Sequence, residues 1–139
     1  MREITFTLPE PFPLLNKQQR KHYRTRGRAK VSTSRQIIAL LGSERPQEPF
    51  QRASVHVVRH SVGSPDLDGL YGGFKDILDC LTTPVQQANG KVKNKHGVGL
   101  IVDDNQLSIR LNIEGVRCRR DEQKTVVTIT EILDAEVGL

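Results

Sequence analysis

Four aspartates and one lysine, in two separated segments, are the residues of this chain best suited to chemistry. Asp66 and Asp68 lie two residues apart, and Lys75 follows in a stretch whose apolar residues recur at three- and four-residue steps, as on an amphipathic helix. Asp103 and Asp104 come later, directly after a short apolar run. If a sheet brings the two segments together, their carboxylates repel one another unless a hard cation such as Mg²⁺ lies among them.

Carboxylates around Mg²⁺ with an ammonium group nearby suit the hydrolysis of a phosphodiester. The metal activates water and neutralises developing charge, and a lysine steadies a phosphate oxygen. Lys75 lies about two helical turns beyond Asp68, so both project on one face, and the lysine stem leans back toward the helix N-terminus. Asp68 also stands where the N-cap of that helix belongs, so a capped turn without any metal explains the same spacing.

The elements that must position these groups alternate between strands and helices. One predicted helix covers residues 36–41, and the central one begins at a cap on Asp68 and ends near Leu81. Residues 82–97 form either a mobile loop or a short hairpin. This order predicts one α/β (or α+β) domain over residues 1–139, with two main helices and a mixed sheet of about five strands. The predicted strands are residues 3–8, 52–60, 98–102, 106–113 and 125–132.

A basic segment over residues 17–30 dominates the charge distribution of the chain. The net charge is +5, and no acidic residue occurs between Glu10 and Glu44. Such a segment, predicted here as a loop, is typical of contact with phosphates, although a solvated loop that keeps the protein in solution is the simpler alternative. Its lysines and arginines are Lys17, Arg20, Lys21, Arg24, Arg26, Arg28 and Lys30.

The apolar residues predict neither a membrane partner nor export. No stretch approaches the roughly 18 consecutive apolar residues of a membrane span, and the first residues, MREITFTLPE, lack the apolar core of a signal peptide. We therefore expect a cytoplasmic location. The two cysteines, Cys80 and Cys118, make no disulfide framework and no metal-binding pair.

These motifs together resemble the RusA-type Holliday-junction resolvases of bacteria and their prophages, over nearly the whole chain. ITFTLPEPFP resembles the opening strand and proline turn of that family, and Asn16 with the basic segment resembles its DNA-facing part. DLD followed by a helix of the form Lys-x-x-x-Asp-x-Leu is similar to its core signature. VDDNQL and TVVTITEI resemble its second acidic motif and its last strand.

The resemblance implies a homodimeric endodeoxyribonuclease that depends on Mg²⁺, or on Mn²⁺ in its place. Such enzymes resolve four-way junctions in DNA recombination and repair by nicking two opposed strands. Carried over, Asp66, Asp68 and Asp104 would be metal ligands and catalytic groups, with Asp103 a supporting carboxylate at the metal. Lys75 would be the catalytic lysine.

The chain departs from the family pattern in two places. Gly69 replaces the usual asparagine after DLD, and the lysine lies seven residues beyond the second aspartate instead of four. We interpret this as a three-residue insertion, nearly one helical turn, which returns Lys75 to the same face. An alignment without the gap would place Gly72 at the lysine position. The second departure is the loop before Asp104, which is longer than the family's short turn.

Two other functions remain open on the sequence alone. A non-catalytic module that binds DNA or RNA would use the basic segment and need DLD only as a helix cap. A phage nuclease for other branched or flap DNA would share the same acidic residues and differ in substrate.

Overall fold

The computed structural model of this chain describes residues 2–15 and 23–133 and shows a four-stranded mixed sheet with helices packed against it. Along the chain the strands are β1 (Glu3–Leu8), β2 (Ala53–Ser61), β3 (Val85–Gln86), β4 (Val92–Lys93), β5 (Ile109–Arg117) and β6 (Lys124–Glu131). The main sheet has the order β1-β6-β2-β5, and β3 pairs with β4 in a separate hairpin. The predicted mixed α/β class is confirmed.

The sheet is built around β2. This strand pairs in parallel with β5 and antiparallel with β6, and its residues alternate between fully and partly buried positions. Ala53, Val55 and Val57 have no exposed surface, like Val127 and Ile129 on β6. β-Branched side chains in alternation favour a half-buried strand, which is why the sequence pattern located this sheet to within a few residues.

The first described helix is much longer than predicted. Helix α1 spans Tyr23–Leu41, whereas the apolar pattern predicted a helix only over residues 36–41. The part of the basic segment from residue 23 onward is therefore helical, and its prediction as a loop was wrong. Arginine, lysine and alanine are good helix formers, but the N-terminal half of α1 has no apolar stripe that would reveal a helix. Buried Ile37 and Leu41 anchor its C-terminal half in the core.

The predicted central helix is divided in two. Helix α2 spans Leu67–Gly73 and helix α3 spans Lys75–Leu81, with Phe74 between them. Phe74 keeps helical angles, and its amide donates to the carbonyl of Leu70 (3.2 Å). Its ring is fully buried and meets Phe12 edge to face, with centroids 5.4 Å apart. The buried ring fixes the junction between α2 and α3 in the core. Because Lys75 is the next residue, the core also fixes the backbone position of Lys75.

Gly72 and Gly73 allow residues 13–15 to pass directly against α2. A Cβ on Gly73 would collide with the carbonyl oxygen of Pro13 and lie 2.9 Å from the Cα of Leu14. A Cβ on Gly72 would lie 2.8 Å from a methyl carbon of Leu15. Because the neighbour of Gly73 is backbone, that position has no easy way to relax.

We expect Gly73→Ala to lower the free energy of unfolding by about 1–3 kcal/mol, because the added methyl group overpacks a backbone contact. Gly27→Ala is the matched control, since a Cβ there meets nothing within 4 Å and Gly27 is also helical. That control should be neutral or stabilise the protein by up to about 1 kcal/mol. Urea denaturation of the three proteins measures both values. Equal stability of Gly73→Ala and the wild type would contradict this account of the junction.

Residues 98–102 do not form the predicted strand. The amides of Val98, Leu100 and Ile101 donate to the carbonyls of Cys80 and Leu81 at the end of α3 (2.8–3.0 Å). Those carbonyls have no partner within their own helix, so the segment caps the helix instead of extending the sheet. A single bridge from Ile101 to Phe50 is its only strand-like pairing within the described residues. The main sheet therefore has four strands where about five were predicted.

Residues 82–97 form the hairpin, which was one of the two predicted alternatives. Its turn is closed by the amide of Gln87, which donates to the carbonyl of Lys91 (2.8 Å), and by Gly90, whose φ of +82° suits glycine. At its base, a Cβ on Gly97 would collide with the carbonyl oxygen of Thr82. Throughout residues 2–15 and 23–133, no helix is long and apolar enough to cross a membrane.

Candidate active site

One lysine and two aspartates meet at the start of α3. The ammonium nitrogen of Lys75 lies 2.6 Å from a carboxylate oxygen of Asp104 and 2.7 Å from one of Asp79. Asp79 is one helical turn further along α3, whereas Asp104 is 29 residues away along the chain. The fold therefore brings together Lys75 and Asp104, two residues from separate predicted motifs.

Lys75 remains a cation at neutral pH in this arrangement. Burial opposes its charged form, but the hydrogen bonds to Asp104 and Asp79 outweigh that effect and raise the pKa of Lys75. Its side chain is 53% exposed, so solvent reaches the group. A lysine held in this state does not accept a proton at pH 7 and acts through its charge.

The lysine contact bears on the three-residue insertion that we infer between Asp68 and Lys75. The Cβ of a residue at position 72 would face Leu15 of the N-terminal segment, whereas Lys75 reaches Asp104. The expectation that Lys75 leans back toward Asp68 was wrong, because its ammonium group contacts Asp79 and Asp104 instead. Lys75 is thus the lysine that meets Asp104, while Gly72 packs against Leu15.

Asp66 and Asp68 lie at the start of α2. Asp66, not Asp68, is the N-cap: its carboxylate accepts a hydrogen bond of 2.7 Å from the amide of Gly69. The prediction of Asp68 as the cap was therefore wrong by two residues, and Asp68 lies in the first turn, where a negative charge is also favourable. Both aspartates line a cavity with Leu14 and Leu15.

The acidic residues do not form one cluster. Among the described residues, no three His, Cys, Asp or Glu side chains lie close enough to hold a metal ion together. Asp104 is engaged with Lys75, while Asp66 is engaged with a backbone amide. The two predicted segments therefore meet through Lys75 and Asp104. Their carboxylates do not come together as a set of three among the described residues.

Asp103 points to the hairpin and not to Lys75. Its carboxylate accepts hydrogen bonds from the ammonium group of Lys93 (2.8 Å) and the amide side chain of Asn94 (3.2 Å), as well as from the backbone amide of Asp104 (2.8 Å). The bond from Lys93 contributes most to holding the pKa of Asp103 well below its usual range. Asp103 therefore anchors β4 beside the segment that positions Asp104.

Two of the predicted DNA-binding residues form ion pairs with α3. Arg26 donates two hydrogen bonds to Asp76 (2.7 and 3.1 Å), and Lys30 donates one to Asp79 (2.9 Å). These pairs fix the basic face of α1 against the helix that holds Lys75. Arg24 and Arg28 are exposed on the same helix. The other predicted contacts, Asn16, Lys17, Arg20 and Lys21, lie outside the described residues.

Sequence reasoning included Asp79 only as the aspartate of the Lys-x-x-x-Asp-x-Leu motif and gave it no role in the site, and it missed the ion pairs between α1 and α3. The signal for Asp79 was present, since Lys75 and Asp79 are four residues apart, the spacing of neighbours on a helix surface. The partners Arg26–Asp76 and Lys30–Asp79 are about 50 residues apart along the chain and join two helices. No local pattern connects residues so far apart.

Comparison of the chain with protein-family models, curated proteins and solved structures gives no match.

Proposed function

We propose that this chain is a metal-dependent phosphodiesterase that acts on DNA. More specifically, we propose a RusA-like endodeoxyribonuclease that uses Mg²⁺ to nick opposed strands of a four-way junction, and works as a homodimer because two active sites must act on one symmetric substrate. Recombination and repair are the processes in which such a substrate arises.

The contact between Lys75 and Asp104 is the observation that supports this proposal most. Two motifs that resemble the family's acidic and lysine motifs meet at 2.6 Å. Ion pairs from Arg26 and Lys30 place a basic helix face beside them. A lysine cation held beside a carboxylate suits a phosphate group whose negative charge increases during hydrolysis.

The carboxylates are ligands of the kind that Mg²⁺ prefers, but among the described residues too few of them lie together to hold the ion. Carboxylate oxygens are the ligands that Mg²⁺ prefers, and the ion usually keeps several waters. Asp104 would hold it, and the proposal requires Asp66 or Asp68, from this chain or a second copy, as a further ligand. When bound, the metal would supply an activated water and neutralise charge at the phosphate. Lys75 would orient a phosphate oxygen through its charge.

A non-catalytic nucleic-acid-binding module is the second candidate function. It is favoured by the partners of the acidic groups, because Asp66 caps a helix, Asp103 anchors a hairpin and Asp104 neutralises a lysine. Each carboxylate then has a structural role without a metal. This function predicts salt-sensitive binding and no cleavage.

Incubation of the protein with a synthetic four-way junction, in Mg²⁺ or in EDTA, separates the two candidates. The nuclease proposal predicts paired nicks in Mg²⁺ and none in EDTA. Forked and linear duplexes of the same length and sequence, used as competitors, test junction selectivity against a broader nuclease for branched DNA. Binding without nicking in either Mg²⁺ or Mn²⁺ would overturn the nuclease proposal and leave the binding module.

A further inference from the structure

A groove lined by basic side chains lies between α1 and the hairpin of residues 82–97. Two cavities of about 840 and 590 Å³ form it, and both are lined by Gly27, Lys95 and His96, so they adjoin. Asp79, which contacts Lys75, lines the larger cavity. The groove therefore borders the candidate active site. Its other basic side chains are Arg24, Arg26, Arg28, Lys30, Arg35 and Lys91.

Several of these charges have no carboxylate partner in the described part of the chain. The side chains of Arg28, Arg35, Lys91 and Lys95 are exposed there and form no ion pair. Uncompensated positive charges along a concave surface raise the local concentration of an anionic ligand. Asp79 is the one carboxylate among the described lining residues, and it is already shared between Lys30 and Lys75.

The hairpin side of the groove is fixed to the rest of the molecule. The hydroxyl of Ser34 on α1 donates to the carbonyl of His96 (2.5 Å), and Asp103 holds Lys93 and Asn94. Lys91 and Lys95 flank these anchored residues in sequence. Their main chain is therefore held in place, which lowers the conformational cost of binding an extended ligand.

The helix side presents a row of arginines. Arg24, Arg28 and Arg35 are separated by four and seven residues, so they follow one face of α1. Eleven residues of helix extend about 16 Å, which is about the rise of five nucleotides along one strand of a duplex. A row of this length suits a chain of phosphates better than a single small anion.

We propose that this groove binds the phosphate backbone of one DNA strand and directs that strand toward Lys75. The direction of the bound strand rests on the proposed function, because Asp79 lines the groove and also contacts Lys75, the lysine of the candidate site. It assigns a DNA contact to the hairpin, whose length departs from the family pattern, and it adds Arg35, Lys91 and Lys95 to the DNA-contacting residues.

Fluorescence anisotropy with a labelled single strand and a labelled four-way junction, in EDTA and over a series of salt concentrations, tests the groove without any cleavage. The Lys91→Ala/Lys95→Ala variant should lower the slope of log affinity against log salt by about 1.4 for the single strand. Arg110→Ala/Arg117→Ala is the matched control, since it removes two exposed charges from β5 and should leave most of the slope unchanged. Equal losses in both variants, or tighter binding of polyglutamate than of a strand of equal charge, would overturn the proposal.

Gly27 provides a second test that does not remove any lining charge. A Cβ there meets nothing within 4 Å, so a longer side chain extends into open space between the two cavities. Gly27→Glu should weaken binding more than Gly27→Gln, which has the same size without the charge. Both changes improve helix propensity, so folding is preserved. Equal affinity of the two variants would exclude a phosphate path through the groove. Because these assays use no metal, they can succeed or fail independently of the nicking assay.

Discussion

Replacing Asp104 by asparagine is expected to reduce junction nicking by about 100-fold or more. Asp104 is the carboxylate of the second acidic motif that reaches Lys75, and it is a proposed ligand of Mg²⁺. An amide keeps the shape and can still accept a hydrogen bond from the lysine, but it removes the negative charge that binds a hard cation. Removing one group that stabilises developing negative charge typically costs 10²–10³ in rate, and Asp104 would act at that centre through the metal it holds.

The same substitution should change stability little. The side chains of Lys75 and Asp104 are 53% and 26% exposed, and ion pairs this accessible contribute about 0–1 kcal/mol. A thermal melt measured beside the nicking assay therefore separates lost chemistry from lost folding. Asp121→Asn is the matched control, because Asp121 is exposed in the short 3₁₀ helix Arg120–Glu122. Full nicking activity in Asp104→Asn would remove Asp104 from the metal site.

Raising the Mg²⁺ concentration sharpens this prediction. If Asp104 binds the metal, part of the activity of Asp104→Asn should return at higher Mg²⁺, because a weakened site fills by mass action. If Asp104 acts only by holding Lys75, the metal dependence should match that of the wild type. The Mg²⁺ concentration that gives half-maximal activity of Asp104→Asn therefore distinguishes a metal ligand from a residue that only positions Lys75.

The strands were more predictable from sequence than the helices, for a physical reason. A half-buried strand alternates apolar and polar residues, and β1 does so throughout while β2 does so from Ala53 to Val57. Ion pairs of Arg26 and Lys30 hold the N-terminal half of α1 to α3, and few side chains of this half are buried. Its sequence therefore has no apolar periodicity that would indicate a helix. Residues 98–102 were predicted to form a strand because they are apolar, yet the amides of Val98, Leu100 and Ile101 cap α3.

The candidate site was predictable in composition and only partly in geometry. The motifs selected Lys75 and Asp104, which the fold brings into contact. They did not reveal that Asp66 would cap α2 and Asp103 would anchor the hairpin, because both roles depend on where a carboxylate meets a backbone amide or a distant lysine. The groove was not predictable from sequence, since α1 and the hairpin are about 60 residues apart where Ser34 meets His96.

Lys75→Ala is expected to reduce nicking by about 100-fold while leaving junction binding nearly unchanged. The ammonium group is one positive charge at the proposed reacting centre, and its charge is maintained by the two carboxylates that raise its pKa. Binding depends on many phosphate contacts, so the loss of one partly neutralised lysine removes little affinity. Nicking rates at saturating protein, together with anisotropy in EDTA, measure the two effects separately.

Lys93→Ala is the matched control for Lys75→Ala, because Lys93 is also a half-exposed lysine paired with an aspartate of the second acidic motif. It should keep most of the nicking activity. The double variant Lys75→Ala/Asp104→Asn should be at most a few-fold slower than the slower of the two single variants. The effects of two substitutions at one reacting centre are not additive. Unchanged nicking in Lys75→Ala would show that the inserted-turn alignment is wrong. Losses that multiply in the double variant would mean that the 2.6 Å contact does not join the two groups in one catalytic step.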